Sequence, residues 1–559
     1  MKLRSNFEPG TTRWAVRRAQ WRALGLTDAD MARPKVAIVN TSSALSICFA
    51  HLDGVAAAVA EGVRAAGGLP FEVRTTAPSD FVTGGARGGR YVLPSRDLVV
   101  NDVEVSVEGP QLDGMVLLSS CDKTAPAHLM AAARLDIPSI LVLCGYQACG
   151  LFRQSPVDIE DVFEGVGEVM TGARSLDELR AMSDAAIRSP GVCAGMGTAN
   201  SMHIVSEALG MALPGSTPIA AAAPRLAEVA RAGGARIVEM IAEDLRPRRI
   251  LTPAAFDNAV TTALAVSGSV NVLRHLQAVA QEAELEYDVY QAYDRIGRQV
   301  PLLCTVKPNG SDRIEDLEAA GGTRAVMQRL RPLLRPEAMT VTGQSLGDLL
   351  EAAPPAPETP ILGTLDAPAG PGPALLVLRG NVAPMGAIMK LGGSIDPTQR
   401  FEGRARVFES QEAAMEALSE GRIRAGDAVV LRGLGPRGGP GVASASWFVA
   451  ALQGSGVGAG VAVLTDGQLS GLNHGFVVGQ ICPEAADGGV LAVFRDGDPV
   501  EVDLARREVN LMLLPDEIDA RLAALAPFVA DEPRGWLAIY QSLVTPLEQG
   551  AVLRPRRAR

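Results

Sequence analysis

The sequence lacks the features that would mark it for a nucleic acid, a membrane or a disulfide framework. Basic residues are outnumbered, 52 Lys and Arg against 63 Asp and Glu, for a net charge of −11. A phosphate backbone requires a basic surface, so a nucleic-acid partner is excluded. No apolar run approaches the ~20 residues that span a bilayer, and the opening stretch "MKLRSNFEPGTTRWAVRRAQWRALGL" has no uninterrupted apolar core of the signal-peptide kind. The expectation is a cytoplasmic protein with no membrane partner. Seven cysteines spread over 559 residues form no disulfide framework. With no C-x-x-C pair and only five scattered histidines, a structural zinc site is a poor fit.

What is present is an ordinary globular composition, 47% hydrophobic and 21% charged. Aromatics are scarce at 4%, while 59 glycines and 37 prolines mark a chain with many tight turns. Its length exceeds one hydrophobic core, so two or more domains are expected. "RPKVAIVNTSSALSICFAHL" reads as a buried strand over Val36 to Val39, a polar turn and the start of a helix that stops at Gly67 and Gly68. "LDGMVLLSSCDKTAPAHLMAAARLDIPSILVLCG" repeats this grammar as strand, turn, helix and strand, which has the size of a βαβ unit. The first region is therefore an α/β domain with a parallel sheet, residues 1–353. A Pro- and Gly-rich linker follows at 354–373. Short strands between glycine turns, among them "DAVVLRGLG", "VAVLTDG" and "GVLAVFRDGDPVEVD", then predict a closed or sandwich-like β unit, a β-barrel-like domain over 374–559.

Three cysteines share a setting. Cys48, Cys121 and Cys193 each stand where a regular element gives way to a loop rich in Gly, Ser or Thr. Parallel α/β folds place ligand sites in such loops, beyond the carboxyl ends of strands. The plainer alternative is that each is a small buried hydrophobe. Three thiolates on an iron–sulfur cluster would leave one iron position free, and an open Lewis acid is what a departing hydroxyl needs. Asp122 and Lys123, beside Cys121, put hard ligands next to soft ones. A lysine is ordinarily a salt-bridge partner, whereas a carbamylated lysine presents oxygen ligands. In "VAVLTDGQLSGLNHGFVVG" a strand ends at Thr465 and Ser470 stands in a glycine-flanked loop. Its commonest use would be as a helix cap. It is no hydrolase elbow, because Gln468 occupies the position of the first glycine.

"RALGLTDADMARP", "SSCDKTAPAHLMAAARLDIP", "CAGMGTANSM", "RGNVAPMGAIMK", "GPRGGPG", "TDGQLSGLNHGFVVG" and "CPEAADGG" occur in the order found in the dihydroxy-acid and sugar-acid dehydratases, iron–sulfur hydro-lyases that the chain resembles over nearly its whole length. The resemblance implies dehydration of a 2,3-dihydroxy carboxylic acid to a 2-keto acid. The active site would lie between an N-terminal α/β part and a barrel-like domain, in a homodimer or homotetramer. Cys48, Cys121 and Cys193 would hold the cluster, 2Fe-2S in preference to 4Fe-4S. Asp80, Asp122, Lys123 and Ser444 would surround Mg2+, and Ser470 would be the catalytic base. The substrate is a small hydroxy acid, most like that of the dehydratase of branched-chain amino-acid biosynthesis, with a sugar acid as the alternative.

Departures from the family pattern cluster at the expected site. Ser444 stands where the family carries a magnesium-binding glutamate, and a neutral hydroxyl is the weaker ligand. Gln480 replaces a usual histidine, "SGSVN" replaces a Gly-Gly-Ser-Thr-Asn loop, and Phe81 follows Asp80 in place of glycine. These changes leave two further readings: an altered substrate pocket, or a homologue that binds a cluster and has lost dehydration.

Overall fold

In the computed structural model, residues 3–77, 79–83, 86–391, 395–441, 445–469 and 475–555 are described. The first sheet is built from β1 (Lys35–Asn40), β2 (Leu69–Arg74), β3 (Gly114–Ser119) and β4 (Ser139–Leu143). Their order is β2-β1-β3-β4 and every pairing is parallel. β1, β3 and β4 are buried at each position, as strands covered on both faces must be. The helices Leu52–Ala65, Val92–Glu108 and Thr124–Leu135 make the crossovers. Helix Leu52–Ala65 crosses helix Pro224–Glu243 so closely that a Cβ on Gly62 would lie 2.0 Å from the Arg231 carbonyl oxygen. Glycine is required there to let the backbones meet. A small antiparallel hairpin, β5 (Gly150–Phe152) with β6 (Ser155–Val157), follows β4.

The second sheet has eight strands: β7 (Leu375–Leu378), β8 (Gly386–Lys390), β9 (Arg400–Phe408), β10 (Asp427–Leu431), β11 (Ala462–Thr465), β12 (Val477–Cys482), β13 (Pro499–Asp503) and β14 (Glu508–Leu511). The order is β14-β13-β9-β10-β11-β12-β8-β7. A bridge between Arg379 and Glu508 brings the two edges together, with the Arg379 N–H on the Arg507 carbonyl at 2.8 Å and the Val509 N–H on the Arg379 carbonyl at 2.7 Å. The sheet is thus a nearly closed barrel. Its centre, β9 to β12, is parallel, with helices Gln411–Ser419 and Ala445–Gly454 as crossovers. Antiparallel strands flank this centre on both sides.

Alternation along the barrel strands divides the core. Ala428, Val430, Ala462, Leu464 and Val478 fill the barrel interior. Val429, Leu431 and Val463 face outward and share one continuous core with Phe448 and the first region. The stretch "GVLAVFRDGDPVEVD" is less extended than its composition suggests. Val490–Val493 form a short 3-10 turn, and the strand begins only at Pro499, because the Gly497 turn separates the two apolar runs. Residues 354–373 contribute no helix or strand and run along the first region, where the Gly363 N–H donates to the Leu303 carbonyl at 2.8 Å. Among the described residues no helix is long and apolar enough to cross a membrane.

Candidate functional site

The carboxyl ends of β1 and β3 present the chemistry. Cys48 lies in the turn after β1, Cys121 lies two residues beyond the end of β3, and both are buried. Ser120 joins the two loops: its hydroxyl donates to the Cys48 carbonyl at 2.6 Å, and its own carbonyl meets Nε2 of His203 at 2.9 Å. Cys193 reaches the same place through β4. The Val192 carbonyl accepts from the Gln147 N–H at 2.8 Å, which lays the segment before Cys193 alongside the extension of that strand. Asn200 then shapes the following turn, donating to the Cys193 and Gly195 carbonyls at 2.7 and 2.8 Å.

The side chains gathered here crowd one another electrostatically. A hydrogen bond between the thiols of Cys48 and Cys121 pulls Cys48 below the ordinary thiol range. The same bond, together with burial, pushes Cys121 well above it. Cys193 is pushed up by burial and by the charges of Cys48, Asp122, Glu160 and Asp158. Burial and the neighbouring Asp80 raise the Asp122 carboxyl to about 7. The Lys123 ammonium and hydrogen bonds from the Thr198 hydroxyl and the Ala199 N–H act against that rise. Lys123, fully buried, forms an ion pair with Asp80 at 2.7 Å. In the structure, then, Lys123 plays the ordinary role of a cation to Asp80. The second carboxylate oxygen of Asp80 is buried without a partner.

Three thiols and two carboxylates, one of them with an orphaned oxygen, make a donor set for cations that combines soft sulfur with hard oxygen. Among the described residues no three acidic, thiol or imidazole side chains already stand in metal-ligating geometry. The residues fit an iron–sulfur cluster and a magnesium ion in their chemistry and their gathering, and the crowding of negative charge favours a bound cation. Ser444 and Ser470 lie outside the described residues.

Several contributors to this site carried no sequence signal of their own. Thr198 holds Asp122 and also shares a hydrogen bond of 2.9 Å with Ser269. Asn271 donates to the Thr198 hydroxyl at 3.0 Å and to the carbonyl of Leu469. A polar chain thereby runs from Asp122 to the residue preceding Ser470. Both "CAGMGTANSM" and "SGSVN" were visible as motifs, but which hydroxyl or amide in them reaches which neighbour depends on packing between distant segments.

The parallel sheet gathers thiols and carboxylates in the loops at its carboxyl edge, and the polar chain joins them to the barrel. The chain belongs to the dihydroxy-acid/6-phosphogluconate dehydratase family. The family's N-terminal model matches residues 33–349 and its C-terminal model residues 360–551. It is 38% identical over 550 residues to the dihydroxy-acid dehydratase of Methanococcoides burtonii, covering 98% of this chain and 99% of that protein. It is 40% identical over 546 residues to that of Roseiflexus castenholzii, covering 97% of each. It is also 40% identical over 543 residues to that of Leifsonia xyli subsp. xyli, covering 96% of each.

Proposed function

We propose that the protein removes water from a 2,3-dihydroxy carboxylic acid to give a 2-keto acid, with an iron–sulfur cluster on Cys48, Cys121 and Cys193 and magnesium on Asp80 and Asp122. The observation that carries this is the convergence of those thiols and carboxylates beyond the ends of β1, β2 and β3 and at the extension of β4, where Cys121 and Asp122 are consecutive and Asp80 reaches Lys123. Neighbouring soft and hard donors would, once both groups are bound, let one small substrate reach both. We assign a 2Fe-2S cluster, a homodimeric or homotetrameric assembly and a cytoplasmic location on the family resemblance.

When bound, the two metal groups supply Lewis-acid positions that stabilise charge on the departing C3 hydroxyl and on the substrate carboxylate. Asp122, oriented by Thr198 and Ala199, would with Asp80 hold the magnesium ion that takes up the carboxylate end of the substrate. Ser470 Oγ, as the alkoxide, takes the proton from C2. The C2–H electron pair becomes the C2–C3 double bond, the C3–O bond breaks, and the departing hydroxide takes the proton back from Ser470 and leaves as water, which restores the alkoxide. The resulting enol gains a proton at C3, loses the one on its C2 hydroxyl, and becomes the 2-keto acid. Lys123 serves as the buried cation that keeps Asp80 in position, and carbamylation would convert it to an oxygen ligand. Ser444 contributes a hydroxyl where a carboxylate would bind magnesium more strongly.

Anaerobically purified protein tests this reading. Bound iron and sulfide in comparable amounts are expected, with charge-transfer absorption in the visible. Keto-acid release from 2,3-dihydroxyisovalerate or an aldonic acid should require magnesium. Ser470→Ala should abolish release while leaving the absorption intact. Colourless, iron-free protein removes the cluster, and unchanged turnover in Ser470→Ala removes the base. A coloured protein that turns over no candidate favours a homologue without dehydratase activity.

A further inference from the structure

A cleft of about 730 Å³ is lined by helix Asn271–Glu282, helix Val289–Gly297, the strand ends at Arg379 and Met385, and the C-terminal segment. Its size lies within the range of small-molecule sites. No residue assigned to the metals or to catalysis lines it. Tyr290, on the second helix, is 3% exposed, and its hydroxyl has no hydrogen-bond partner. Glu548, in the short turn Leu547–Gln549, ends in a buried Oε2 that is likewise unpartnered. The wholly buried thiol of Cys482 lies beside both. Burial raises the Glu548 carboxyl, as it does for a negative charge without a cation. Two guanidiniums line the same cleft. Arg379 gives an N–H to the Pro384 carbonyl at 3.5 Å, and Arg554 gives one to the Gln281 carbonyl at 2.7 Å. Among the described residues neither arginine side chain is ion-paired with a carboxylate, and Glu548 is paired with no cation.

Charges of both signs thus share one cleft without neutralising each other. An arginine carries five N–H donors, so each of these keeps a fork free for a carboxylate. Glu284 also lines the cleft but pairs with Arg248 at 3.2 Å, and Glu286 and Asp288 are exposed, where water screens them. Buried polar atoms are normally paired, and the open ones here are Glu548 Oε2 and the Tyr290 hydroxyl. A metal cation would meet Glu548 but be repelled by the two arginines. A simple carboxylate would suit the arginines and leave Glu548 bare. An ammonium and a carboxylate on one carbon answer both, and Leu285 and Met385 offer apolar surface to a side chain. We infer that this cleft is a second ligand site, which binds a free α-amino acid with its ammonium on Glu548 and Tyr290 and its carboxylate on Arg379 and Arg554. The site stands apart from the dehydratase reading and does not depend on it.

Isothermal titration of the full chain with L-norleucine, and with hexanoate and 1-aminopentane, which lack its ammonium and its carboxylate respectively, tests this. L-Norleucine should bind at one site and raise the melting temperature as its concentration rises. Each truncated probe should bind at least about 100-fold more weakly, because it leaves a group of the site unpaired. Glu548→Gln and, independently, Arg554→Met should each weaken L-norleucine binding at least about tenfold. Absence of saturable L-norleucine binding overturns the inference even if both variants fail to fold, and so does binding that neither folded variant weakens. 1-Aminopentane bound as tightly as L-norleucine overturns it in favour of a site for cations alone. Hexanoate bound as tightly overturns it in favour of a site for anions alone.

Discussion

Asn271 is the joint through which the two halves of the site are held, and removing its amide should register in both stability and activity. The side chain is fully buried. It donates to the Thr198 hydroxyl at 3.0 Å and to the Leu469 carbonyl, and accepts from Gln480 Nε2 at 3.1 Å. In Asn271→Ala the Leu469 carbonyl loses this partner in a buried setting, which costs about 1–3 kcal/mol. The Thr198 hydroxyl retains Ser269, and Gln480 retains Val270, so these two losses cost about 1 kcal/mol each. The expected destabilisation is about 3 to 5 kcal/mol. It should appear as a lower urea midpoint with an unchanged m value. Keto-acid release should fall at least tenfold at temperatures where the variant is folded, since the Leu469 end of the serine loop is released. Asn271→Asp keeps the shape and the acceptor but turns a carboxylate oxygen toward the Leu469 carbonyl, so it should be no milder. A loss below 1 kcal/mol with unaltered turnover would refute the view that this amide couples the two halves.

Three further outcomes are expected. Gly441→Ala should lose about 2–4 kcal/mol, because Gly441 has φ +69° and a Cβ there would lie 2.0 Å from Pro94 Cδ; a melting temperature within 1 °C of the parent would contradict this. In the metal-free chain, Asp80→Asn should cost about 3 kcal/mol by leaving the buried Lys123 ammonium without its carboxylate at 2.7 Å, and a neutral outcome in chemical denaturation would show the pair to be dispensable. Glu160 is buried with both carboxylate oxygens unpartnered, and burial followed by the charge of Asp158 raises its carboxyl from 4.5 to about 8. A folded-state value above the unfolded one favours the protonated acid in the fold. Its stabilising contribution is therefore complete below pH 4.5 and declines as pH rises toward about 8. Glu160→Gln should flatten that decline and gain a few kcal/mol on the parent by pH 8. Parallel stability curves for the two proteins between pH 5 and 8 would rule it out.

Strand and helix order in the first region was legible because strands buried on both faces are uninterrupted apolar runs, as in "KVAIV" and "GMVLLS", and the helix after β1 stops at Gly67 and Gly68. The barrel-like character of the second region was legible from short strands and glycine turns. The parallel direction of β9 to β12 was not, because strand direction is set by crossover helices and long-range pairing. The run before "DPVEVD" read as a longer strand because composition alone does not mark where the Gly497 turn interrupts it.

The site divides in the same way. By itself the sequence determined family membership, since rare ordered motifs survive as local strings, and it singled out Cys48, Cys121, Cys193 and the Asp122–Lys123 pair as candidates. Tertiary structure alone decided that Lys123 pairs with Asp80, that Thr198 holds Asp122, and that Asn271 links this acid to the segment before Ser470. It also decided that Tyr290 and Glu548 end in unpartnered atoms. The physical reason is that a side chain's type is written locally, whereas its hydrogen-bond partner and burial depend on segments some 40 to 200 positions away brought together by the two sheets.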